Sequence, residues 1–310
     1  MTQKNTPPCG HTPPRRRRTR RARTRRAAGT PTTPTTTAPT TAAAPLAIPA
    51  PPFGIHLIAE CGLNHDGSLE RAHEMIRAAA SAGATAVKFQ KRSAARWFDD
   101  PLPRIGPRTH FGATHGDHRR WLEFMPDDHV ELRRLAHSLG LRYGLSVWDI
   151  ESATEALHII RPDWIKLGRP FVITWRGQQV LHALARVLPP GALHVSCRDS
   201  VELAEVRAQS PDAVVYYCPG FYPDRDAHVR AATSVARLDV RGISLHTRTL
   251  DHAVEAVQAG ARWVEYHVAL AGTRHSDAAY SLDPLELARL VRMVRASVSA
   301  GASAVHHHSH

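Results

Sequence analysis

Residues 55–92 read IHLIAECGLNHDGSLERAHEMIRAAASAGATAVKFQKR, and this stretch decides the fold. The apolar run at residues 55–59 predicts a short strand, the stretch from about Ser68 predicts an amphipathic helix, and residues 84–89 predict a second strand. Ionisable and amide side chains gather where these strands end: Glu60, Asn64, His65, Asp66, Lys88 and Gln90. Because parallel strands bind ligands at their carboxyl ends, we expect a ligand site at this edge of the sheet.

Strand-like and helix-like segments alternate through the rest of the chain, after one long irregular connection at residues 93–123. Six further strands are predicted at residues 142–146, 164–167, 193–196, 213–217, 242–245 and 263–266. Strands that are each followed by a helix predict an α/β fold, a parallel sheet closed into a (β/α)8 TIM barrel over residues 53–300. In a barrel the carboxyl ends of all strands open on one face, so residues far apart in sequence converge there.

The formal charge of +12 is concentrated at the amino terminus. Residues 1–50 hold ten of the 40 basic residues and none of the 28 acidic ones, so the other 260 residues are close to neutral. Residues 1–52 are rich in Pro, Thr, Ala and Arg, a composition that predicts a disordered tail. We therefore expect nucleic acid to bind only through this basic tail, if at all, the alternative being a solvated tail without a ligand.

The cysteine spacing and the lack of long apolar runs indicate the cellular compartment in which the protein works. Cys9, Cys61, Cys197 and Cys218 lack the spacing of a disulfide framework or of a structural zinc site and suit a reducing cytoplasm. There is no apolar run of about 18 residues, so no membrane span is predicted. Residues 301–310 end in AVHHHSH and predict a flexible, histidine-rich tail.

Two histidines end neighbouring predicted strands, His246 after strand seven and His267 after strand eight. Glu60 ends strand one, which neighbours strand eight once the barrel closes. Two imidazoles and a carboxylate with open positions are typical of a divalent-cation site, so we predict that His246 and His267 bind a divalent metal. The alternative is that each histidine is a hydrogen-bonded core residue.

Lys88 and Lys166 lie within apolar strand segments, AVKF and WIKL, near the ends of strands two and four. A lysine with apolar neighbours on both sides is rarely a plain surface residue. The pair predicts two point charges for the phosphate and carboxylate oxygens of an anionic substrate. The alternative is that Lys88 or Lys166 is the Schiff-base nucleophile of a pyruvate aldolase.

The segments IAECGLNHDGS and VKFQKR resemble the opening of the sialic acid synthase family, and the resemblance extends over about residues 55–297. That family condenses phosphoenolpyruvate with an amino-sugar aldehyde. The resemblance therefore implies a transferase of carbohydrate biosynthesis that forms a carbon–carbon bond and yields a 2-keto-3-deoxy sugar acid. It also implies that His246 in GISLHT and His267 in VEYHVAL hold a divalent ion, manganese or magnesium.

Strand-end position and the resemblance together assign roles to further residues. Catalytic residues are expected at Glu60, Lys88, Lys166 and Tyr222, with Glu60 handling the water that adds during the reaction, or its proton. Substrate-binding residues are expected at Asn64, Gln90, Arg169, Ser196, Ser244, Asp277 and Ser281. Glu265 is a strand-end candidate without an assigned role.

The chain departs from the family pattern beside two of these residues. Leu245 stands where the family has an acid before the metal-binding histidine. After Lys166 the chain reads Leu-Gly-Arg-Pro-Phe, where the family has a serine and a glutamate. Arg169 in this segment either takes over a phosphate contact or belongs to a loop rebuilt for another acceptor.

Members of the family usually continue into a small antifreeze-like domain that reaches over a partner subunit and supplies an arginine to the sugar. This sequence ends soon after the last predicted barrel helix. We therefore expect an acceptor other than N-acetylmannosamine, or a separate protein that completes the site, with a homodimer as a further predicted assembly. A non-catalytic barrel that binds a sugar phosphate or a partner protein stays open as an alternative.

Overall fold

The computed structural model describes residue 51 and residues 54–93, 111–224 and 230–306. The chain divides into two units, Met1–Leu46 and Ala47–His310, and the described residues all belong to the second. The predicted basic tail at residues 1–52 lies outside the described residues, apart from Pro51. Among the helices that the described residues form, none combines the length and the apolar character needed to cross a bilayer.

Eight parallel strands close into a barrel, in which each strand pairs with the next along the chain and the last pairs with the first. They are β1 (His56–Gly62), β2 (Ala86–Lys91), β3 (Arg142–Val147), β4 (Trp164–Leu167), β5 (Leu193–Cys197), β6 (Val214–Tyr217), β7 (Gly242–Leu245) and β8 (Trp263–His267). The (β/α)8 TIM barrel expected from the sequence is confirmed.

Helices surround the barrel and follow the strands in chain order. Within the described residues they are α1 (Leu69–Ala82), α2 (His115–Leu122), α3 (Pro126–Ser138), α4 (Ile150–Glu155), α5 (Arg169–Val172), α6 (Trp175–Val187), α7 (Ser200–Gln209), α8 (Ala231–Leu238), α9 (Asp251–Gln258) and α10 (Pro284–His306). A π-helical turn, Ala156–Ile160, extends α4, and a 3-10 helix, Ser276–Tyr280, precedes α10.

Helix α2 lies in the connection that the sequence predicts to be irregular. The Thr114 hydroxyl accepts from the Asp117 amide at 3.1 Å, and the Asp117 carboxylate accepts from the Thr114 amide at 3.4 Å. This capping box is legible in the sequence as Thr-x-x-Asp, a signal that the irregular assignment overlooks. Residues 94–110 of the same connection lie outside the described residues.

The last helix is longer than its prediction. The Asp283 carboxylate caps α10, accepting the amides of Leu285 at 2.9 Å and Glu286 at 2.8 Å, as its Asp-Pro start predicts. The helix then continues to His306 and so enters residues 301–310, which the sequence assigns to a flexible tail. Alanines and small residues without proline permit this extension.

The register of β1 places charged side chains together at the carboxyl ends of the strands. Glu60 lies beside Lys88 of β2 and beside His267 of β8. A bulge between Glu60 and Gly62 ends the strand, and Gly62 has φ +51°, a region that favours glycine. A Cβ on Gly62 would lie 3.2 Å from the His267 ring, so the chain turns directly beside that histidine.

The amino ends of the strands are filled by aromatic residues. Trp164 at the start of β4 packs with Ile58 and Tyr216 inside the barrel. A Cβ on Gly144 of β3 would lie 2.1 Å from the Trp164 ring, so this position accepts only glycine while the indole stays in place. These side chains close the barrel at the amino ends of the strands, so a ligand can bind only at the carboxyl ends.

The loop after β8 is fastened to the first strand–helix unit. Arg71 of α1 donates to the carbonyl oxygens of residues 270–271 at 3.1 and 2.8 Å. The Asp66 carboxylate accepts the amides of residues 274–275 at 2.8 and 3.0 Å. These contacts, which we call the β8 latch, join the two ends of the barrel sequence at the rim of the ligand face.

Candidate active site

A cavity of about 280 Å³ opens at the carboxyl ends of the strands. Most of the residues predicted for the site line it: Glu60, Lys88, Gln90, Lys166, Arg169, Ser196, Tyr222, Ser244, His246, His267 and Asp277. Asn64 and Ser281 are not among its lining residues. The strand ends thus converge as the barrel architecture requires.

Two lysines and two glutamates form a buried charge network in this cavity. The Lys88 Nζ lies 2.6 Å from Glu60 Oε2 and 3.7 Å from Glu265 Oε2. The Lys166 Nζ donates to Glu265 Oε1 at 2.7 Å and lies 4.2 Å from the centroid of the Tyr216 ring. None of the four charged residues is more than 3% exposed, so these are buried ion pairs rather than surface contacts.

Serine hydroxyls complete the network. Lys88 donates to Ser146 Oγ at 2.7 Å, and Ser244 donates to Glu265 Oε1 at 2.8 Å. Ser196 lies in the same lining and is 2% exposed. Ser146, at the end of β3, is absent from the predicted set, although its strand-end position is the signal that identified the others.

Burial and neighbouring charge shift the pKa values of the two carboxyls in opposite directions. Burial raises the pKa of Glu60, which Lys88 offsets only in part. Burial acts the same way on Glu265, but Lys166 and Lys88 outweigh it and hold the pKa of Glu265 well below its ordinary value. Glu60 is therefore the carboxyl that can exchange a proton, and Glu265 stays a permanent anion.

The two lysines also differ. Burial lowers the pKa of Lys166, and the contact with Glu265 reverses this only in part, while the charge of Lys88 adds to the lowering. Burial acts on Lys88 too, but Glu265 and Glu60 together outweigh it and raise the pKa of Lys88. Lys88 is thus the more firmly charged of the two.

His246 and His267 lie side by side, with ring centroids 5.2 Å apart. The Asp224 Oδ2 accepts the His246 backbone N–H at 2.6 Å and lies 3.7 Å from its Nδ1, while Asp277 Oδ2 lies 3.9 Å from the Nδ1 of His267. A loop carboxylate therefore stands beside His246 although Leu245 has replaced the family's acid. Burial lowers the pKa of His267 to about 3, so its imidazole is neutral.

The residues present fit a metal ion in part. Among the described residues, no group of three or more His, Cys, Asp or Glu is arranged to hold one. The Nδ1 atoms of His246 and His267 are nevertheless buried and make no hydrogen bond within the described structure. Glu60, expected as a third ligand, pairs instead with Lys88. The donor set therefore suits a cation held by two imidazoles, with its other positions open to substrate or solvent oxygens.

Tyrosine rings cover the histidine pair. The Tyr222 ring lies 4.1 Å from the His246 ring and is half exposed at the edge of the cavity. Tyr280, which the sequence does not single out, lies 5.2 Å from His267 and 5.6 Å from His246. Burial raises the pKa of both phenols, so each keeps its proton and can donate a hydrogen bond.

A second cationic region lines the cavity beside Gln90. Arg92, directly after β2, is 7% exposed, and its guanidinium lies 4.2 Å above the Trp148 ring and donates to Gln90 Oε1 at 3.1 Å. Arg119 of α2 lines the same part. Burial lowers the pKa of Arg92, and the charge of Arg119 adds to this. We call these two residues the arginine corner; neither is among the predicted site residues.

Asn64 and Ser281 take a different place from the one that the sequence suggests. Asn64 donates to the Ser281 hydroxyl at 2.8 Å and to the Val268 carbonyl at 2.7 Å. The Ser281 hydroxyl in turn donates to the Asp277 carbonyl at 2.6 Å. This pair therefore fastens the loop that carries Asp277, and neither side chain lines the cavity.

Arg169 lines the cavity with part of its guanidinium committed elsewhere. Its Nε and Nη2 donate to the Glu202 carboxylate, the shorter bond being 2.7 Å. Its Nη1 lies 3.0 Å from the point that a Cβ on Gly220 would occupy. A side chain at residue 220 would therefore press on Arg169, and glycine leaves it room.

Comparisons with known proteins agree on the family. A sequence profile of the NeuB family matches residues 75–306. Human N-acetylneuraminate-9-phosphate synthase is 33% identical in an alignment 264 positions long, which covers 77% of this chain and 69% of the human protein. N,N'-diacetyllegionaminic acid synthase of Legionella pneumophila is 27% identical over 256 residues, covering 77% of this chain and 71% of that protein.

Solved structures share the barrel. An N-acetylneuraminic acid synthetase from Leptospira borgpetersenii superimposes with a TM-score of 0.64 at 21% identity, over 80% of this chain and 85% of that one. The spore coat polysaccharide biosynthesis protein SpsE of Bacillus subtilis gives 0.63 at 22% identity, over 81% and 70%. At such identities the likeness shows the fold alone. The profile match, which includes Lys88, Lys166 and both histidines, and the similarity to the human synthase confirm the predicted resemblance: the chain belongs to the NeuB family.

Proposed function

We propose that the protein condenses phosphoenolpyruvate with a sugar aldehyde to give a 2-keto-3-deoxy sugar acid and inorganic phosphate. The observation that carries this proposal is the buried network in which Lys88 and Lys166 share Glu265. Five lysine and arginine side chains and three carboxylates line the cavity, an excess of positive charge that suits a substrate with a phosphate and a carboxylate. Relatives of this chain are named as synthases.

Phosphoenolpyruvate is bound by Lys88, Lys166 and Ser196. Both lysines line the cavity beside Glu265 and supply point charges for carboxylate and phosphate oxygens. Ser196 adds a hydroxyl donor from the end of β5. Arg169 is a further proposed phosphate ligand through Nη1, since Glu202 occupies its other edge.

Bond formation joins the methylene carbon of phosphoenolpyruvate to the aldehyde carbon, and the aldehyde oxygen takes up a proton to become a hydroxyl. Water then adds to the carbon that carries the phosphate, and the phosphate leaves as its oxygen–carbon bond breaks. Glu60 takes the proton of that water, a role that its raised pKa favours. Gln90 orients the Glu60 carboxylate by donating to Glu60 Oε1 at 3.1 Å. Tyr222 keeps its proton and donates to a sugar oxygen.

His246 and His267 are the residues that would hold a divalent ion, manganese or magnesium. When bound there, such an ion supplies a Lewis acid for the aldehyde oxygen. The imidazole of His267 is neutral because burial lowers its pKa to about 3, which leaves a lone pair for the ion. Asp224 holds the His246 backbone and so fixes the spacing of the pair.

A pyruvate aldolase that works through a Schiff base is the second candidate, and the lowered pKa of Lys166 favours it. A lysine that burial makes less basic spends more time as the neutral nucleophile. Borohydride reduction in the presence of pyruvate distinguishes the two functions. Covalent labelling of Lys166 would establish the aldolase and overturn the condensation.

The direct test is phosphate release from phosphoenolpyruvate, by metal-stripped protein and by protein restored with manganese, with a panel of aldoses and N-acetylated amino sugars. The proposed reaction requires release that depends on both the metal and one class of sugar, and that is lost in Lys88→Met. No release with any sugar would favour the non-catalytic barrel that binds a sugar phosphate or a partner protein.

The proposed location and assembly follow from simpler observations. Cys61, Cys197 and Cys218 are buried and free, which supports a cytoplasmic enzyme. A homodimer, or a separate protein that completes the site, stays a prediction, and light scattering of the full chain at several concentrations measures it.

A further inference from the structure

Arg169 enters the cavity from the segment after β4, and the residues beside it come from the next two strands. It lines the cavity together with Ser196, which lies near the end of β5. Its Nη1 lies 3.0 Å from the point that a Cβ on Gly220 would occupy, so the guanidinium rests against the loop after β6. Because β4, β5 and β6 are neighbours in the barrel, these three positions form one sector of the cavity wall.

Glu202 of α7 binds one edge of this guanidinium. Arg169 Nη2 donates to Glu202 Oε1 at 2.7 Å, and Arg169 Nε donates to both carboxylate oxygens at 3.1 Å. Within the residues that the structure describes, the guanidinium makes no other hydrogen bond. Nη1 therefore keeps both of its N–H donors for a ligand.

The Glu202 carboxylate is itself held in place, although it does not line the cavity. Its Oε2 accepts the backbone N–H of Arg198 at 2.8 Å, just before the helix begins. The Asp199 side chain caps α7 and accepts the backbone N–H of Glu202 at 3.1 Å. A planar guanidinium that binds two oxygens of a fixed carboxylate has little freedom left to rotate. The first turn of α7 thus sets the position of Arg169 at the cavity wall.

We propose that Glu202 is a positioning residue, which holds Arg169 so that Nη1 binds the phosphate of phosphoenolpyruvate. This inference rests on the proposed condensation, which places phosphoenolpyruvate in the cavity, and it adds a residue that touches no substrate. A guanidinium that is already held by one edge loses less conformational freedom when its other edge binds phosphate oxygens. The sector from β4 to β6 then holds the phosphate, and the histidine pair at the ends of β7 and β8 is left to the aldehyde.

Charge and positioning predict opposite effects of Glu202 on phosphate binding. A carboxylate beside Arg169 offsets part of its positive charge, which by itself weakens the attraction between the guanidinium and a phosphate. Removing the charge of Glu202 would therefore tighten the binding of phosphoenolpyruvate if the carboxylate acted through charge. It should weaken that binding if the carboxylate acts by holding Arg169, so the sign of the change distinguishes the two effects.

Calorimetry of the full chain with phosphoenolpyruvate, in the absence of sugar, measures this sign. Arg169→Gln should weaken binding by about tenfold to a hundredfold, the loss typical of a charge-assisted hydrogen bond. Glu202→Gln should weaken it by about threefold to tenfold, because a long side chain must then be ordered on binding. Glu205→Gln changes an exposed carboxylate on the same helix and should bind as the wild type does. Equal or tighter binding by Glu202→Gln would overturn the proposal.

A double variant separates positioning from a general effect on the fold. If Glu202 acts through Arg169, Glu202→Gln should have no further effect on the affinity for phosphoenolpyruvate in a chain that already carries Arg169→Gln. Additive losses would show that Glu202 acts elsewhere and would contradict the proposal. Circular dichroism and the melting temperature check that each variant folds.

Pyruvate identifies the group that Arg169 binds, because it carries the carboxylate of phosphoenolpyruvate without the phosphate. Its affinity should be the same in the wild type and in Arg169→Gln. A loss as large as the one for phosphoenolpyruvate would assign Arg169 to the carboxylate and overturn the phosphate contact.

Steady-state kinetics separate this inference from the proposed function. Glu202→Gln should raise the KM for phosphoenolpyruvate and leave kcat and the KM for the sugar unchanged, the pattern of a lost binding interaction. Release of phosphate with the same KM in the wild type and in Glu202→Gln would keep the condensation and overturn the positioning role. Binding of phosphoenolpyruvate that depends on Glu202 and Arg169, without phosphate release with any sugar, would keep the positioning role and overturn the condensation.

Discussion

Glu265→Gln should destabilise the barrel more than any surface change of the same kind. Glu265 is 3% exposed, accepts Lys166 at 2.7 Å and lies 3.7 Å from Lys88, so it is the anion that the two lysines share. Glutamine keeps the shape and removes the charge. Because one partner of a buried ion pair is lost, we expect a loss of about 3 to 5 kcal/mol in the free energy of unfolding.

Urea denaturation and thermal melting of the full chain measure this loss. For a domain of this size each kcal/mol lowers the melting temperature by about 2 to 4 °C, so a drop of about 6 to 20 °C is expected. Glu202→Gln is the matched control, since it makes the same change in the pair with Arg169, whose side chains are 13% and 14% exposed; solvent screens this pair more, so the loss should be smaller.

The destabilisation should also depend on pH. Without Glu265 the pKa of Lys166, which burial already lowers, falls further below the value of about 10.4 in the unfolded chain. The unfolded state then binds more protons than the folded one, so stability rises with pH up to about 10.4, by up to about 1.4 kcal/mol per pH unit. A loss no larger than that of Glu202→Gln, and equal at pH 7 and pH 9, would refute the inferred role of the buried charge.

Three further predictions test other parts of the molecule. Gly144→Ala should lower the free energy of unfolding by about 3 kcal/mol, because the added Cβ would lie 2.1 Å from the Trp164 ring. Adding Trp164→Phe to this variant should recover part of the loss. If the two changes instead lower the melting temperature additively, the clash is contradicted. Burial holds the pKa of His129 well below 6.5, so as the pH falls the unfolded state is protonated at this histidine before the folded state. The free energy of unfolding should therefore decrease below about pH 6.5, and it should decrease less steeply in His129→Gln. Urea titrations at pH 7, 6 and 5 measure both slopes. His267→Ala should weaken manganese binding at least tenfold by electron paramagnetic resonance, whereas the exposed His182→Ala should not; equal affinities would remove His267 from the metal site.

The barrel and the residues at its strand ends could be predicted from the sequence, because both follow from the local apolar periodicity and from the position of a residue relative to the end of a strand. Lys88 and Lys166 stand out as charged residues in apolar strands, and a closed parallel sheet dictates that such strand ends meet. The same reasoning places His246 beside His267, which the ring separation of 5.2 Å confirms as neighbours.

Residues that reach the cavity from loops and helices were beyond that reasoning. Arg119 depends on α2, which stands in a connection with no repeating apolar pattern. Asp224 lies beside His246 because the chain folds back there. Residue 245 is a leucine where the family has an acid, and the spacing of the sequence does not reveal that a carboxylate from another loop lies beside His246. Asn64 is a different case: its strand-end position predicts a substrate contact, and in the structure its side chain donates to Ser281 at 2.8 Å and does not line the cavity.

The β8 latch has a consequence for how the site comes into existence during synthesis. Of the eight barrel strands, β1 is made first, and one of its edges has no barrel partner until β8 is made and pairs with it. Arg71 and Asp66 likewise wait for the residues at 270–275 that they hold. A chain cut short before residue 263 would carry both lysines yet have no latch and a bare strand edge, and bare edges invite association with other chains. Catalytic competence and protection of the β1 edge therefore arrive together, once β8 and the loop after it have been made.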